Sequence, residues 1–212
     1  MVRRLILSER AWHAIEMDCR AHRITETGGA LIGARVNDEI VVPFVVPAGP
    51  EAVKTSVAFA PDTPWQQGLL DFLFDRFGGV TYVGDVHLHP GDFDRPSRWD
   101  LRTARRIVTE AAWDTPTAVF PIAVNTGDDV KIRAYLMTRE EPDFVEIPVA
   151  VVPETDRRIR RLLVNTTPRS GKSMSNREDY ERAVSAHRRR GGPRGGGFIR
   201  RVAARLRPRP AR

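Results

Sequence analysis

The chain has 212 residues, with 34 basic against 27 acidic side chains, a net charge of +7 and a single cysteine, Cys19. That length suits one domain with an extension and can bury a real core. One cysteine excludes an internal disulfide framework and any metal site needing two cysteines, including the Cys-x-x-Cys half of a zinc deaminase.

No His-Glu-x-x-His occurs, so a helix-borne zincin is excluded as well. The opening MVRRLILSER has an arginine pair but only a three-residue apolar run, too short for a signal peptide. No later run approaches membrane-spanning length, so a cytoplasmic protein is expected. Leu5-Ile6-Leu7 reads as a short strand. Ser8 can cap a helix running to about His22, with Trp12, Ile15 and Cys19 on one face. Cys19 is then a small core residue, and His13 and His22 are surface helix residues. The runs GGALIGARV and EIVVPFVVP flank Asn37-Asp38 and read as a hairpin, with Pro43 marking an edge position or a bulge. Gly28-Gly29 allows close approach of another element or a bound group. Ser56 to Phe59 reads as a further short strand. Pro64 opens a helix closed by Gly78-Gly79, with Trp65, Leu69, Phe72, Leu73 and Phe77 at helical spacing toward a core.

The run VTYVGDV reads as a buried strand that continues into HLHPGDFDRPSRWD. Side chains alternate along a strand, so Asp85, His87 and His89 share a face. Pro90 should end the strand at a sheet edge or mouth. GDFDRP reads as a loop on a cleft rim. Ser97 starts a helix reaching about Ala112, with Arg98, Arg102, Arg105 and Arg106 most simply a solvated face. Ser97-x-x-Asp100 is also a helix-capping box, and the two readings are compatible, because a helix start fixes its first-turn side chains in space. A match to H-x-H-x7-S-x2-D has a chance probability on the order of 10⁻³ or less in such a chain. Two histidines and one carboxylate, with a fourth position open, form the pattern of a catalytic zinc site. Asp85 could support the histidines, although a carboxylate bonded to backbone is the simpler reading.

His87-x-His89-Pro90, Pro96-Ser97 and Asp100 resemble the signature of the JAMM (MPN-plus, JAB-type) zinc metallopeptidases. The phrase ETGGALIG, with Glu26 before Gly28-Gly29, resembles the bacterial branch of that family. The resemblance covers roughly residues 1–150. It implies an α/β fold with a curved mixed sheet flanked by helices, in the α-β-α arrangement of cytidine deaminases. It also implies one Zn²⁺ on His87, His89 and Asp100, Glu26 as proton carrier, and Ser97 as donor to the tetrahedral intermediate. The substrate it implies is an amide or isopeptide bond after the tail of a ubiquitin-like modifier or sulfur-carrier protein.

TAVFPIAVN and VKIRAYLMT read as strands joined at Gly127-Asp128-Asp129, and FVEIPVAVV closes the apolar part. These runs place a peptidase domain at residues 1–152 and a linker or short helix at 153–164. Residues 165–212 hold 13 Arg and one Lys against three acidic residues, net +11, so residues 1–164 carry −4 (7 − 11). This Arg- and Gly-rich tail should be flexible, and could meet a polyanion or an acidic protein weakly. His187 within it has no expected role. The alternative to an enzyme is a binding or scaffold module of the same fold, whose tail recruits nucleic acid or an acidic partner.

Overall fold

The computed structural model describes residues 1–110, 114–127 and 129–164. The chain opens with β1 (Arg4–Ser8) and α1 (Glu9–Ala21), then the hairpin β2 (Thr27–Val36) and β3 (Glu39–Pro47). Two short strands, β4 (Val53–Lys54) and β5 (Phe59–Ala60), precede α2 (Thr63–Arg76). β6 (Thr81–His89) and α3 (Arg98–Thr109) follow, then β7 (Thr117–Val119), β8 (Ile122–Asn125), β9 (Val130–Thr138), β10 (Val145–Ile147), β11 (Val149–Val152) and α4 (Arg157–Val164).

Nine of these strands form one mixed sheet in the order β10-β9-β7-β6-β2-β3-β1-β11, with β8 beyond β7 between β6 and β9. β1 runs parallel to β3 and β11, and β6 runs parallel to β7 and β8. Only Pro148 separates β10 on one edge from β11 on the other, and its carbonyl accepts from Leu5 N at 2.9 Å. The sheet is therefore curled until its edges nearly meet. α1 lies in its concave side, burying Ala11, Ile15 and Cys19 among residues of β1, β2, β3, β6, β8 and β9. On the other face α2, α3 and α4 pack over Ile6, Ile32, Val41 and Met137. This is the expected α-β-α arrangement. Truncating a fully buried side chain such as Ile15 or Leu31 to alanine would cost about 2–5 kcal/mol. Among the described residues no helix is long and apolar enough to cross a membrane.

Local chemistry explains most boundaries. Ser8 caps α1, its Oγ accepting from Ala11 N at 3.1 Å, and Asn37 takes the positive φ of a tight hairpin turn. β3 lies between β1 and β2, so Pro43 is not at an edge. It sits where the β2–β3 register slips, the other place a strand tolerates proline. Several expectations need correction. Ser56 and Val57 lie in the turn between β4 and β5, and the strand starts only at Phe59. Of the five residues expected to turn α2 toward the core, Leu73 is buried and Trp65, Leu69, Phe72 and the C-cap Phe77 pack against the core while partly covered; Thr63, Gln66 and Leu70 are buried beside them. His22 is not a free surface residue. It is the C-cap of α1, with Nδ1 against Asp18 and Nε2 receiving Lys54 Nζ at 2.9 Å. α3 stops at Thr109, and residues 111–113 lie outside the described residues. TAVFPIAVN breaks into β7 and β8 at Pro121, and FVEIPVAVV breaks into β10 and β11 at Pro148, because proline cannot donate to a ladder. Residues 153–164 include α4, with Ile159 and Leu162 buried against the core. The tail from residue 165 onward, with the contacts expected of it, lies outside the described residues.

Candidate active site

β6 lies between β2 on one side and β7 and β8 on the other, and it ends at the mouth of the sheet rather than at its edge. Thr27 pairs with Leu88 and Gly28 with His87, so Glu26, just before β2, lies near enough to His89 and His87 for their charges to act on it. The register slips between Leu31 and Ile32, where Val83 is an extra residue on β6. Gly84 sits beside that slip with φ +143°, and a Cβ there would run into the Val119 carbonyl. The bulge turns Tyr82 onto the same face as Asp85, His87 and His89, and the Tyr82 hydroxyl donates to Asp85 Oδ2 at 2.8 Å.

His87, His89 and Asp100 come together. Taking one ligand atom from each, the three atoms lie within 4.8 Å of one another. His89 Nδ1 is 3.0 Å from the Phe93 carbonyl, which can only accept. Nδ1 therefore carries the proton, and Nε2 faces Asp100 Oδ2 at 3.5 Å with its lone pair free. His87 Nδ1 is buried and stands 2.6 Å from Asp100 Oδ1. At that separation the nitrogen and the carboxylate oxygen need a shared proton or a cation between them, and a site that holds the one can hold the other. Asp100 itself is fixed by the capping box of α3. Its Oδ2 accepts from Ser97 N at 2.6 Å, and its N–H donates to Ser97 Oγ at 3.2 Å.

The electrostatics agree with that geometry. Burial would raise the Asp100 pKa, but His87, His89 and Ser97 hold the carboxyl well below its usual range. Burial would lower the His87 pKa, but Asp100, Asp85 and Glu26 outweigh it and raise it. Three carboxyl groups thus act on the His87 imidazole, and Asp100 is the one held in its charged form. Two nitrogens and one carboxylate oxygen are a donor set that zinc accepts.

Glu26 is half-buried, and its N–H donates to the Thr55 carbonyl at 2.6 Å. Burial raises its pKa more than His89 and His87 lower it. Thr27, the next residue, donates its hydroxyl to Asp18 Oδ2 at 3.0 Å, and Lys54 Nζ lies 3.8 Å from Asp18 Oδ1. Glu26 is thereby clamped between α1 and the β4–β5 hairpin. The Ser97 hydroxyl accepts from Asp100, and its own hydrogen has no acceptor among the described residues. Asp85 is bonded to the Tyr82 side chain rather than to backbone, and its charge reaches His87.

A family model described as prokaryotic homologs of the JAB domain matches residues 8–138. The chain belongs to this family. A probable metalloprotease, y4qB, of Sinorhizobium fredii (strain NBRC 101917 / NGR234) is 31% identical over 116 residues, 53% of this chain and 71% of that protein. The CD-NTase/cGAS isopeptidase of Escherichia coli (strain TW11681) is 31% identical over 80 residues, 37% of this chain and 51% of that one. The solution structure of protein DSY2949 from Desulfitobacterium hafniense superposes with a TM-score of 0.55 at 20% identity, covering 71% of this chain and 94% of that one, a likeness of fold. The JAB domain makes the chain a hydrolase, and the His-His-Asp group is its candidate metal centre.

Three residues shaping this JAB site escape sequence reasoning. Phe93 supplies the carbonyl that sets the His89 tautomer, and its ring stacks on His89 at 5.7 Å. Phe59 stands edge-on to His87 at 5.3 Å. Thr55 holds Glu26 through its carbonyl. Backbone carbonyls act whatever the side chain, so Phe93 and Thr55 leave no mark in the sequence. Phe59 could have been suspected from Gly28, whose missing Cβ makes room for that ring.

Proposed function

We propose that the protein is a zinc-dependent metallopeptidase. It cleaves an amide or isopeptide bond after the C-terminal tail of a ubiquitin-like modifier or a sulfur-carrier protein. The observation that carries this reading is the convergence of His87 Nδ1, His89 Nε2 and the Asp100 carboxylate, with Glu26 near the two histidines. His87, His89 and Asp100 would hold the ion. Zinc bound there supplies hydroxide at neutral pH and polarises a carbonyl.

The chain's own residues do the rest. Glu26 takes the proton from the attacking water and delivers it to the leaving amine. Its carboxyl lies close enough to His87 and His89 for their charges to act on it, which places a proton carrier beside the metal ligands. The Ser97 hydroxyl, with its hydrogen uncommitted, donates to the oxyanion that develops on the substrate carbonyl. Asp85, fixed by the Tyr82 hydroxyl, would raise the basicity of the His87 imidazole as a ligand. An extended modifier tail would lie along the mouth of the sheet, where β6 and β2 end. The isopeptidase relative supports a protein substrate.

The test is cleavage of a ubiquitin-like protein fused through its C-terminus to a reporter, followed by mass spectrometry. Release at the modifier's last residue, abolished by chelator and restored by zinc, is expected. Chelator-sensitive cleavage of unrelated peptides with no action on any modifier fusion would overturn the substrate class. Absence of chelator-sensitive hydrolysis of every substrate would overturn the whole reading.

A further inference from the structure

The end of the molecule away from His87 carries a feature that this chemistry does not use. β2 runs ten residues from the Glu26 end to Val36, about 30 Å at strand rise, so the two ends are far apart. There a concavity of about 890 Å³ opens between the β2–β3 turn (Val36, Asn37) and α4, lined by Arg157, Arg158, Arg160 and Arg161. Arg158 is spoken for, donating to Glu39 at 2.9 Å and to Asp156 at 2.9 Å. Arg157, Arg160 and Arg161 are exposed, and no carboxylate among the described residues pairs with them. Three unpaired guanidinium groups thus border one groove, on a stretch of chain (residues 1–164) that is net negative elsewhere.

We infer that this groove is a docking site for the phosphate backbone of a nucleic acid. Arginine presents a planar fork of donors that matches phosphate oxygens, and the basic residues of α4 are all arginine. Arg157 and Arg161 lie about 6 Å apart along the helix axis, so one strand can meet both. A membrane is the weaker partner. α4 is strongly amphipathic, but Ile159 and Leu162 on its apolar side are already buried in the core and cannot enter lipid. This site is independent of the peptidase reading and leaves the mouth of the sheet open.

The experiment uses the full chain and a fluorescent 20-nucleotide single-stranded DNA, with affinity measured across a salt series. The comparison is with the triple variant Arg157→Gln, Arg160→Gln, Arg161→Gln. Each phosphate contact on a single strand contributes about 0.7 to the slope of log K against log salt, so losing three should lower it by about 2. At 100 mM salt the affinity should fall at least tenfold. The exposed positions should leave the melting temperature unchanged, which separates this loss from misfolding. An unchanged slope and affinity in the triple variant would overturn the proposal, placing all binding outside the groove. So would no DNA binding by wild type, or tighter arginine-dependent binding to phosphatidylglycerol vesicles or polyglutamate than to DNA at equal charge.

Discussion

Ser97 has two separable tasks in this account, and Ser97→Ala weighs them. As a helix cap, its Oγ accepts from Asp100 N at 3.2 Å. Removing a serine cap costs about 1 kcal/mol, which for a chain of this size lowers Tm by roughly 2–4 °C. The other half of the capping box survives, because Ser97 N still donates to Asp100 Oδ2 at 2.6 Å. Asp100 therefore keeps its orientation, and metal content should not change. As donor to the developing oxyanion, the hydroxyl is worth about 10²–10³ in kcat, or about 2.7–4 kcal/mol. Thermal melting, metal analysis and kcat on a chelator-sensitive substrate should then show a small Tm loss, intact metal and a turnover drop of about 10²-fold. Ser97→Thr, which keeps a hydroxyl, should recover much of the rate. A turnover within twofold of wild type, alongside the Tm loss, would refute the oxyanion role and leave Ser97 as a cap alone.

Glu26→Gln keeps shape but removes the proton carrier, and should reduce kcat by roughly 10²–10⁴-fold while metal content stays intact; unchanged turnover would mean another group moves the proton. Gly28→Val adds a side chain where a Cβ already meets the Val86 carbonyl and lies 2.6 Å from the Phe59 ring. It should displace Phe59 from His87 and lower both Tm and activity, as melting and rate measurements would show. The Arg158 side chain holds the Asp156 carboxyl down to about 2. A depressed carboxylate contributes stability that is complete above its unfolded pKa near 4 and is lost as pH falls toward 2. Urea midpoints of wild type and Asp156→Asn should therefore differ at pH 6, draw together as pH falls from 4 toward 2, and converge only near pH 2; a gap that persists unchanged over that range would refute the pairing.

Much of this architecture can be read from the chain because local signals and tertiary demands agree. Ser8, Asn37 and Pro64 sit where caps and turns require them, and the parity of His87 and His89 sets both on one face of β6. What cannot be read depends on pairing between distant segments. Pro121 and Pro148 interrupt apolar runs that look continuous, and only the curl of the sheet explains why β10 and β11 belong to opposite edges. The bulge beside Gly84 breaks the two-residue period, so Tyr82 meets Asp85 three positions away. His22 looks like a surface residue until Lys54, far along the chain, closes on it. In the site, the residues with chemically distinctive side chains are legible, whereas Phe93 and Thr55 act through carbonyls that every residue has.

The central claim is that His87, His89 and Asp100 form a metal centre. Elemental analysis of the purified full chain, wild type beside His89→Ala, tests it most directly. The account predicts about one tightly bound zinc per wild-type chain, retained through gel filtration, and little or none in a folded His89→Ala protein. Wild-type protein that holds no zinc even after loading and buffer exchange, or His89→Ala protein that holds as much as wild type, would contradict it.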